Sequence, residues 1–293
     1  MKYIESKIFK FQIIIQAVIL LVFLSIDINT AIQSIFCGIL LCTVGIPHGA
    51  NDYLFSKDKS TKGLIKFLAI YLLSIGLYII IWWNMPLLAL IIFFLISFHH
   101  LGQSNFENDR LLYLPSLLWG LWILAFPVLL HFDQAISIFN GMINFNQPIL
   151  ITNKVINNIA AWQIYIALTI AISYLFSLYH FKRKYFLNYL IQFTLVSIWY
   201  LFTPLIFGFI VVFCLWHAFQ SLRHQSIYYK ENNEERKWKF FMSMLPFSLI
   251  ALAIFLYYVY FYGFKINEAF ILLSLITLPH VLVMDKLYKK SLS

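Results

Sequence analysis

The chain has 293 residues, of which 62% are hydrophobic and only 11% charged, with a formal net charge of +9. This is far from the composition of a soluble domain of similar length, and the positive charge forms no arginine-rich stripe or binding motif of the kind that nucleic acid requires. Apolar runs recur from Ile8 to Met284 with no polar stretch large enough for a second folded domain, so residues 1–293 read as one integral membrane domain.

The first run, Ile8 to Leu24, follows Lys2, Lys7 and Lys10, but Ser25 to Asn29 offers no small-residue cleavage pattern, so it is a transmembrane helix rather than a secretory signal. In chain order the predicted spans are 8–26, 31–47, 63–83, 86–101, 113–131, 158–179, 187–203, 205–222, 240–262 and 268–285. The fold class is therefore all-α, a polytopic transmembrane helical bundle of about ten helices. The connections at Asn84-Met85-Pro86 and near Pro204 are short, which predicts tight antiparallel pairs. The longest connection, roughly Phe132 to Asn157, carries one weak apolar stretch suited to the membrane interface. Cys37, Cys42 and Cys214 lie in apolar segments without metal or disulfide spacing and are read as core residues. Trp82, Trp83, Trp238, Tyr257 and Tyr258 stand near helix ends and read as interfacial belts.

With the N-terminus in the cytoplasm, 19 of the 21 basic residues fall on inward segments, and only Lys154 and Lys265 fall outside. Positive charge resists translocation, so both termini are placed in the cytoplasm of a multi-pass cell-membrane protein. On that topology seven of the eight histidines sit at or near the inner ends of helices, His131 being the exception. Ionisable groups at membrane depth are costly and mark functional interiors, and neutral imidazoles suit iron, copper or zinc rather than calcium or magnesium.

His48 lies in Gly45-Ile46-Pro47-His48-Gly49-Ala50-Asn51-Asp52, where Pro47 and Gly49 allow a bend and a close helix approach. If helical geometry resumes there, Asp52 shares a face with His48 and would orient its ring as a carboxylate does for a metal-bound histidine. His99 and His100 point about 100° apart on a helix, so one of them is the ligand candidate. His100 is favoured because it precedes Leu101-Gly102 and shares a face with Glu107. His217, Gln220, Ser221 and His224 recur at intervals of three or four on one helical face, although His217 and His224 are about 10 Å apart along an ideal axis and need a local bend to share an ion. His280 follows Pro279 and has Asp285 after it, echoing Pro47-His48 and Asp52; it reads as a ligand, a ring-orienting donor or a kink residue. His131 and His180 read as interfacial. No two histidines stand three, four or five apart, which leaves out the paired boxes of membrane di-iron enzymes and favours one metal.

Taken together, the blocks at Gly45 to Asp52, Phe98-His99-His100-Leu101-Gly102-Gln103, His217 to His224 and Leu278-Pro279-His280 resemble the Brp/Blh family of membrane β-carotene 15,15'-dioxygenases, in the same order along the chain. The resemblance implies oxygen-dependent central cleavage of β-carotene to two molecules of all-trans-retinal by Fe(2+) held by histidines. It implies the ligand set His48, His100, His217 and His224, with no further catalytic residue. Asp52, Glu107, Gln220 and His280 are then the ring-orienting or completing groups, Gln220 standing where the family pattern has a histidine. The implied partners are β-carotene and O2 as substrates, the lipid bilayer, a retinal-binding rhodopsin as the class of product recipient, and no nucleic acid. The readings kept open beside it are an oxygenase of another carotenoid or lipid, a transporter, or a haem-binding membrane protein.

Overall fold

The computed structural model describes residues 6–56, 58, 60–106, 113–144, 153–233 and 237–290. It is all-helical, with no strand among the described residues. The helices are α1 (Lys7–Ser25), α2 (Thr30–Leu40), α3 (Ile46–Ala50), α4 (Thr61–Asn84), α5 (Pro86–Phe106), α6 (Leu114–Leu130), α7 (Phe132–Ile143), α8 (Asn153–Phe181), α9 (Phe186–Phe202), α10 (Leu205–Val212), α11 (Phe219–Asn233), α12 (Lys237–Tyr262) and α13 (Ile266–Lys290). Local chemistry sets several starts: the side chains of Ser6, Asn29 and Ser60 accept from the backbone N–H groups of Phe9, Ile32 and Gly63.

Among the described residues nine helical spans are long and apolar enough to cross a membrane, or ten if the pair α6 and α7 is counted as one bent span. This matches the predicted number. The weak apolar stretch expected after Phe132 is α7, which leaves α6 through a 105° bend. Two spans run past their apolar stretches: Thr30–Phe55 continues through a π-helical turn, α3 and a 3-10 turn, and Leu205–Lys230 continues through α11.

The helices group into two compact units, and the chain passes between them after Leu41, inside α5, inside α7 and at the start of α11, among the described residues. The first unit comprises Met1–Leu41, Phe98–Ala135 and Leu150–Gln220. There α6 packs on α8 and α9, α10 packs on α2, α6 and α9, and α1 packs on α9 and on the π-helical segment Phe213–Ala218. Its interior is built from Trp119, Trp199, Trp216, Tyr174 and Tyr200, all nearly inaccessible to solvent. Two of them tie their polar atoms to backbone carbonyls: Trp199 donates to Gly208 at 3.1 Å and Tyr200 to Ile123 at 3.1 Å.

The same unit contains a close helix crossing. A Cβ on Gly102 of α5 would overlap the carbonyl of Ser116 in α6, and a Cβ on Gly120 of α6 would overlap the carbonyl of Phe98 in α5. The two glycines let the backbones touch, the device by which membrane helices gain packing without a hydrophobic driving force.

The second unit comprises Cys42–Ser97, Ile136–Ile149 and Ser221–Ser293. Here α12 packs on α3, and α13 packs on α3, on the 3-10 turn Asp52–Phe55 and on α4. Trp82 is buried and donates to Ser274 of α13 at 2.9 Å, so it links two helices of the core instead of joining Trp83, Trp238 and Tyr257 at the exposed surface. It occupies the same face as Tyr78, one turn earlier, whose hydroxyl donates to the Ala89 carbonyl at 2.7 Å.

Candidate metal centre

In the first unit α5 carries His100, and four residues later, on the same face, Ser104. The ring of His100 meets that of His217 with centroids 4.5 Å apart and planes at 73°. Ser104 Oγ lies 3.1 Å from His217 Nδ1 and 3.1 Å from the Leu101 carbonyl. With the serine hydroxyl donating to that carbonyl, its oxygen accepts from His217 Nδ1–H. That fixes the tautomer of His217 and leaves the lone pair on Nε2, the state required of a metal ligand.

His217 sits within the π-helical segment Phe213–Ala218. A π turn bonds one residue further along the chain, which puts carbonyls at its joints out of step with the α ladder. Gln12 of α1 donates to the Leu215 carbonyl, and Gln16 accepts from Trp216 Nε1, so two buried glutamines of the first helix brace the segment that presents His217.

Beside it lies an amide cluster. Asn105 and Gln192 of α9 exchange two hydrogen bonds, at 3.2 and 2.9 Å, and Gln220 Nε2 donates to Asn105 Oδ1 at 3.1 Å. All three side chains are buried.

In the second unit His48 stands in α3, whose first turn contains Pro47. The proline has no N–H and its ring crowds the carbonyl four residues earlier, and the helix widens into the π segment Leu41–Gly45 just upstream. His48 Nδ1 is bonded to the Gly45 carbonyl, and since that oxygen only accepts, His48 also carries its proton on Nδ1. The His48 carbonyl accepts from Gln225 of α11 at 2.8 Å, which ties α3 in place.

Asp52 does not orient His48. Asn51, at φ −99° and ψ 8°, ends α3, and the chain tightens into the 3-10 turn, so the four-residue register on which that expectation rested is lost. The carboxylate serves His280 instead: Oδ1 lies 2.8 Å from His280 Nδ1, and Oδ2 accepts from the Tyr71 hydroxyl at 3.0 Å. Asp52 and His280 are each 3% exposed, a buried charge met on both oxygens. The ring of His280 stands edge-on to that of His48 at 5.2 Å, so the two Pro-His motifs meet in space.

His224 is placed against Tyr288 of α13 at 5.3 Å. His99 is buried on α5, His131 ends α6 and His180 is exposed near the end of α8. Glu107 lies outside the described residues. Sequence reasoning missed Ser104, although its spacing from His100 was a readable signal. It also missed Asn105, five residues after His100 on α5, and Tyr71 and Gln192, whose partners Asp52 and Asn105 lie on other elements and leave no spacing to read.

The family model described as beta-carotene 15,15'-dioxygenase matches residues 39–288. A beta-carotene 15,15'-dioxygenase of an uncultured marine bacterium, 66A03, is 25% identical over 272 residues, covering 87% of this chain and 94% of that protein. No solved structure matches. The matched stretch contains His48, His100, His217, His224 and His280 and nearly all the membrane spans, and the chain belongs to the β-carotene 15,15'-dioxygenase family of enzymes.

Proposed function

We propose that this protein cleaves the central 15,15' double bond of β-carotene with O2 in the cell membrane, giving two molecules of all-trans-retinal, and that Fe(2+) is held by histidines, the family resemblance implying His48, His100, His217 and His224. The observation that carries the metal reading is the protonation pattern. His48 Nδ1 faces a carbonyl that can only accept, and His217 Nδ1 faces the Ser104 oxygen, whose proton is given to Leu101; both rings then keep the Nε2 lone pair that a metal ligand needs. His280 has the same pattern, with a carboxylate as its acceptor, and acts as a ring that positions His48. His224, the fourth member of that set, lies with its ring 5.3 Å from that of Tyr288.

Ferrous iron, when bound, supplies the route by which triplet oxygen reacts with an alkene. The chain's own residues hold and exclude. The reaction breaks one carbon–carbon double bond and gives each carbon one oxygen atom of O2, so it balances without a proton, a reductant or a leaving group. Asp52 fits that economy, because both its oxygens are engaged by His280 and Tyr71. An apolar interior rich in aromatic side chains holds a polyene without competing hydrogen bonds, and the alignment of its central bond restricts where attack falls.

The test is the detergent-purified protein supplied with ferrous iron, O2 and β-carotene. Retinal is the expected product, and His48→Ala abolishes it with expression intact. An iron-loaded wild-type preparation that leaves every carotenoid intact overturns the reading; shorter or longer aldehydes would replace central cleavage by another carotenoid oxygenation.

A further inference from the structure

We propose that Gln220 is an oxygen donor to the metal through its Oε1 atom, joining His100 and His217 as a third protein group from the first unit. The inference rests on the metal reading above and deepens it.

The argument begins with the orientation of the amide. Asn105 Oδ1 accepts from Gln192 Nε2 at 2.9 Å and from Gln220 Nε2 at 3.1 Å, while Asn105 Nδ2 donates to Gln192 Oε1 at 3.2 Å. With Asn105 and Gln192 as they stand, turning Gln220 over would set its oxygen against the Asn105 oxygen, so Gln220 presents Nε2 to the cluster. Gln220 Nε2 is thereby used, and Oε1 is left buried with no hydrogen-bond partner among the described residues, on a side chain 1% exposed. A buried amide oxygen is stable when something electropositive meets it. Asn105 Nδ2 and Gln192 Nε2 donate to each other's oxygens within the cluster.

The second line is position. Gln220 is anchored to Asn105, and His217 is anchored to Ser104, the neighbouring residue of α5. His217 in turn rests on His100, one turn earlier on the same helix. Three potential donors, two imidazoles and one amide oxygen, are thus pinned to a single stretch of α5 by three separate contacts. A divalent cation accepts a mixed set of imidazole and carbonyl oxygen. No carboxylate is needed, and the Gln192 pair holds the amide rigid without adding charge in the membrane.

Cobalt(II), which reports its coordination through visible absorption, is titrated into metal-free protein in detergent alongside Q220L and Q220E. The wild type is expected to bind. Q220L is expected to bind about tenfold to a hundredfold more weakly, with a shifted ligand-field spectrum. Q220E keeps an oxygen for the metal but loses the N–H that reaches Asn105, and is expected to bind at least as tightly as the wild type. If Q220L keeps the wild-type affinity and spectrum, or Q220E is as weakened as Q220L, Gln220 serves only the amide cluster and the inference is overturned. A wild-type protein that takes up no cobalt overturns the metal reading itself, which separates the two failures.

Discussion

The glycine crossing between α5 and α6 gives the sharpest test of how the fold holds its histidines. In Gly102→Ala the new Cβ meets the backbone carbonyl of Ser116, well inside the C···O separation of about 3.3–3.6 Å at which such contacts are attractive. A flexible side chain would yield, but a helix carbonyl is held by its own ladder, so the helices must part. Overpacking costs about 1–3 kcal/mol where neighbours adjust, and a rigid backbone obstacle places Gly102→Ala at the upper end of that range. Gly76 of α4 supplies the control, since nothing lies within 4 Å of a Cβ placed there. Gly76→Ala is expected to be neutral or stabilising by about 0.5–1 kcal/mol through helix propensity alone. Gly120→Ala meets the Phe98 carbonyl in the mirror contact, and once one substitution has parted the helices the second finds room, so the double variant loses less than the sum. Thermal loss of helical circular dichroism in detergent orders the variants. If Gly102→Ala melts together with Gly76→Ala, the crossing does not hold α5, and the placement of His100 needs another cause.

Other consequences follow from the hydrogen bonds around the rings. Ser104→Ala removes the acceptor that fixes the His217 tautomer and is expected to weaken cobalt or iron binding by about tenfold, with little change in helix content. Tyr71→Phe strips one hydrogen bond from the buried Asp52 carboxylate, worth about 1.5–3 kcal/mol for a charged acceptor, read as a lowered melting temperature. Asp52→Ala leaves the His280 N–H and the Tyr71 hydroxyl both without that acceptor, so it costs more than Tyr71→Phe, and the double variant is no worse than Asp52→Ala alone; additive losses would show that the two contacts are independent.

The membrane fold was legible because the bilayer imposes a length and a polarity on every span, and both are written in consecutive residues. Span ends were less legible. The helix after Pro204 continues to Asn233 although the apolar run stops near Leu222, because a helix that reaches water needs no further apolar residues to remain hydrogen-bonded. The histidines stood out for the same reason as the spans, being costly groups in an apolar background. Their partners did not: Tyr71 is 19 residues from Asp52 and Gln192 is 87 from Asn105, and tertiary packing alone brings them together.

The hardest part to read was helical phase, and both key histidines show why. Counting intervals of three and four from His217 to His224 assumes one uninterrupted α-helix. The chain is π-helical through Ala218 and α-helical from Phe219, so residues on the two sides of that joint are out of register by about one position. His217 therefore belongs with Ser104 and His100, while His224, counted onto the same face from sequence, lies against Tyr288. At His48 the interruption comes in two parts, a π turn before Pro47 and a 3-10 turn after Asn51, and Asp52 rotates from the histidine four residues back to one 228 residues on. Pro47 marks the first π segment in the sequence, whereas nothing in Phe213 to Ala218 marks the second; its trace is in Gln12 and Gln16, two amides in an otherwise apolar first helix, which need partners and find Leu215 and Trp216. A buried glutamine in a membrane span is thus informative about a helix elsewhere: it names a backbone or indole group that regular geometry has left to be satisfied.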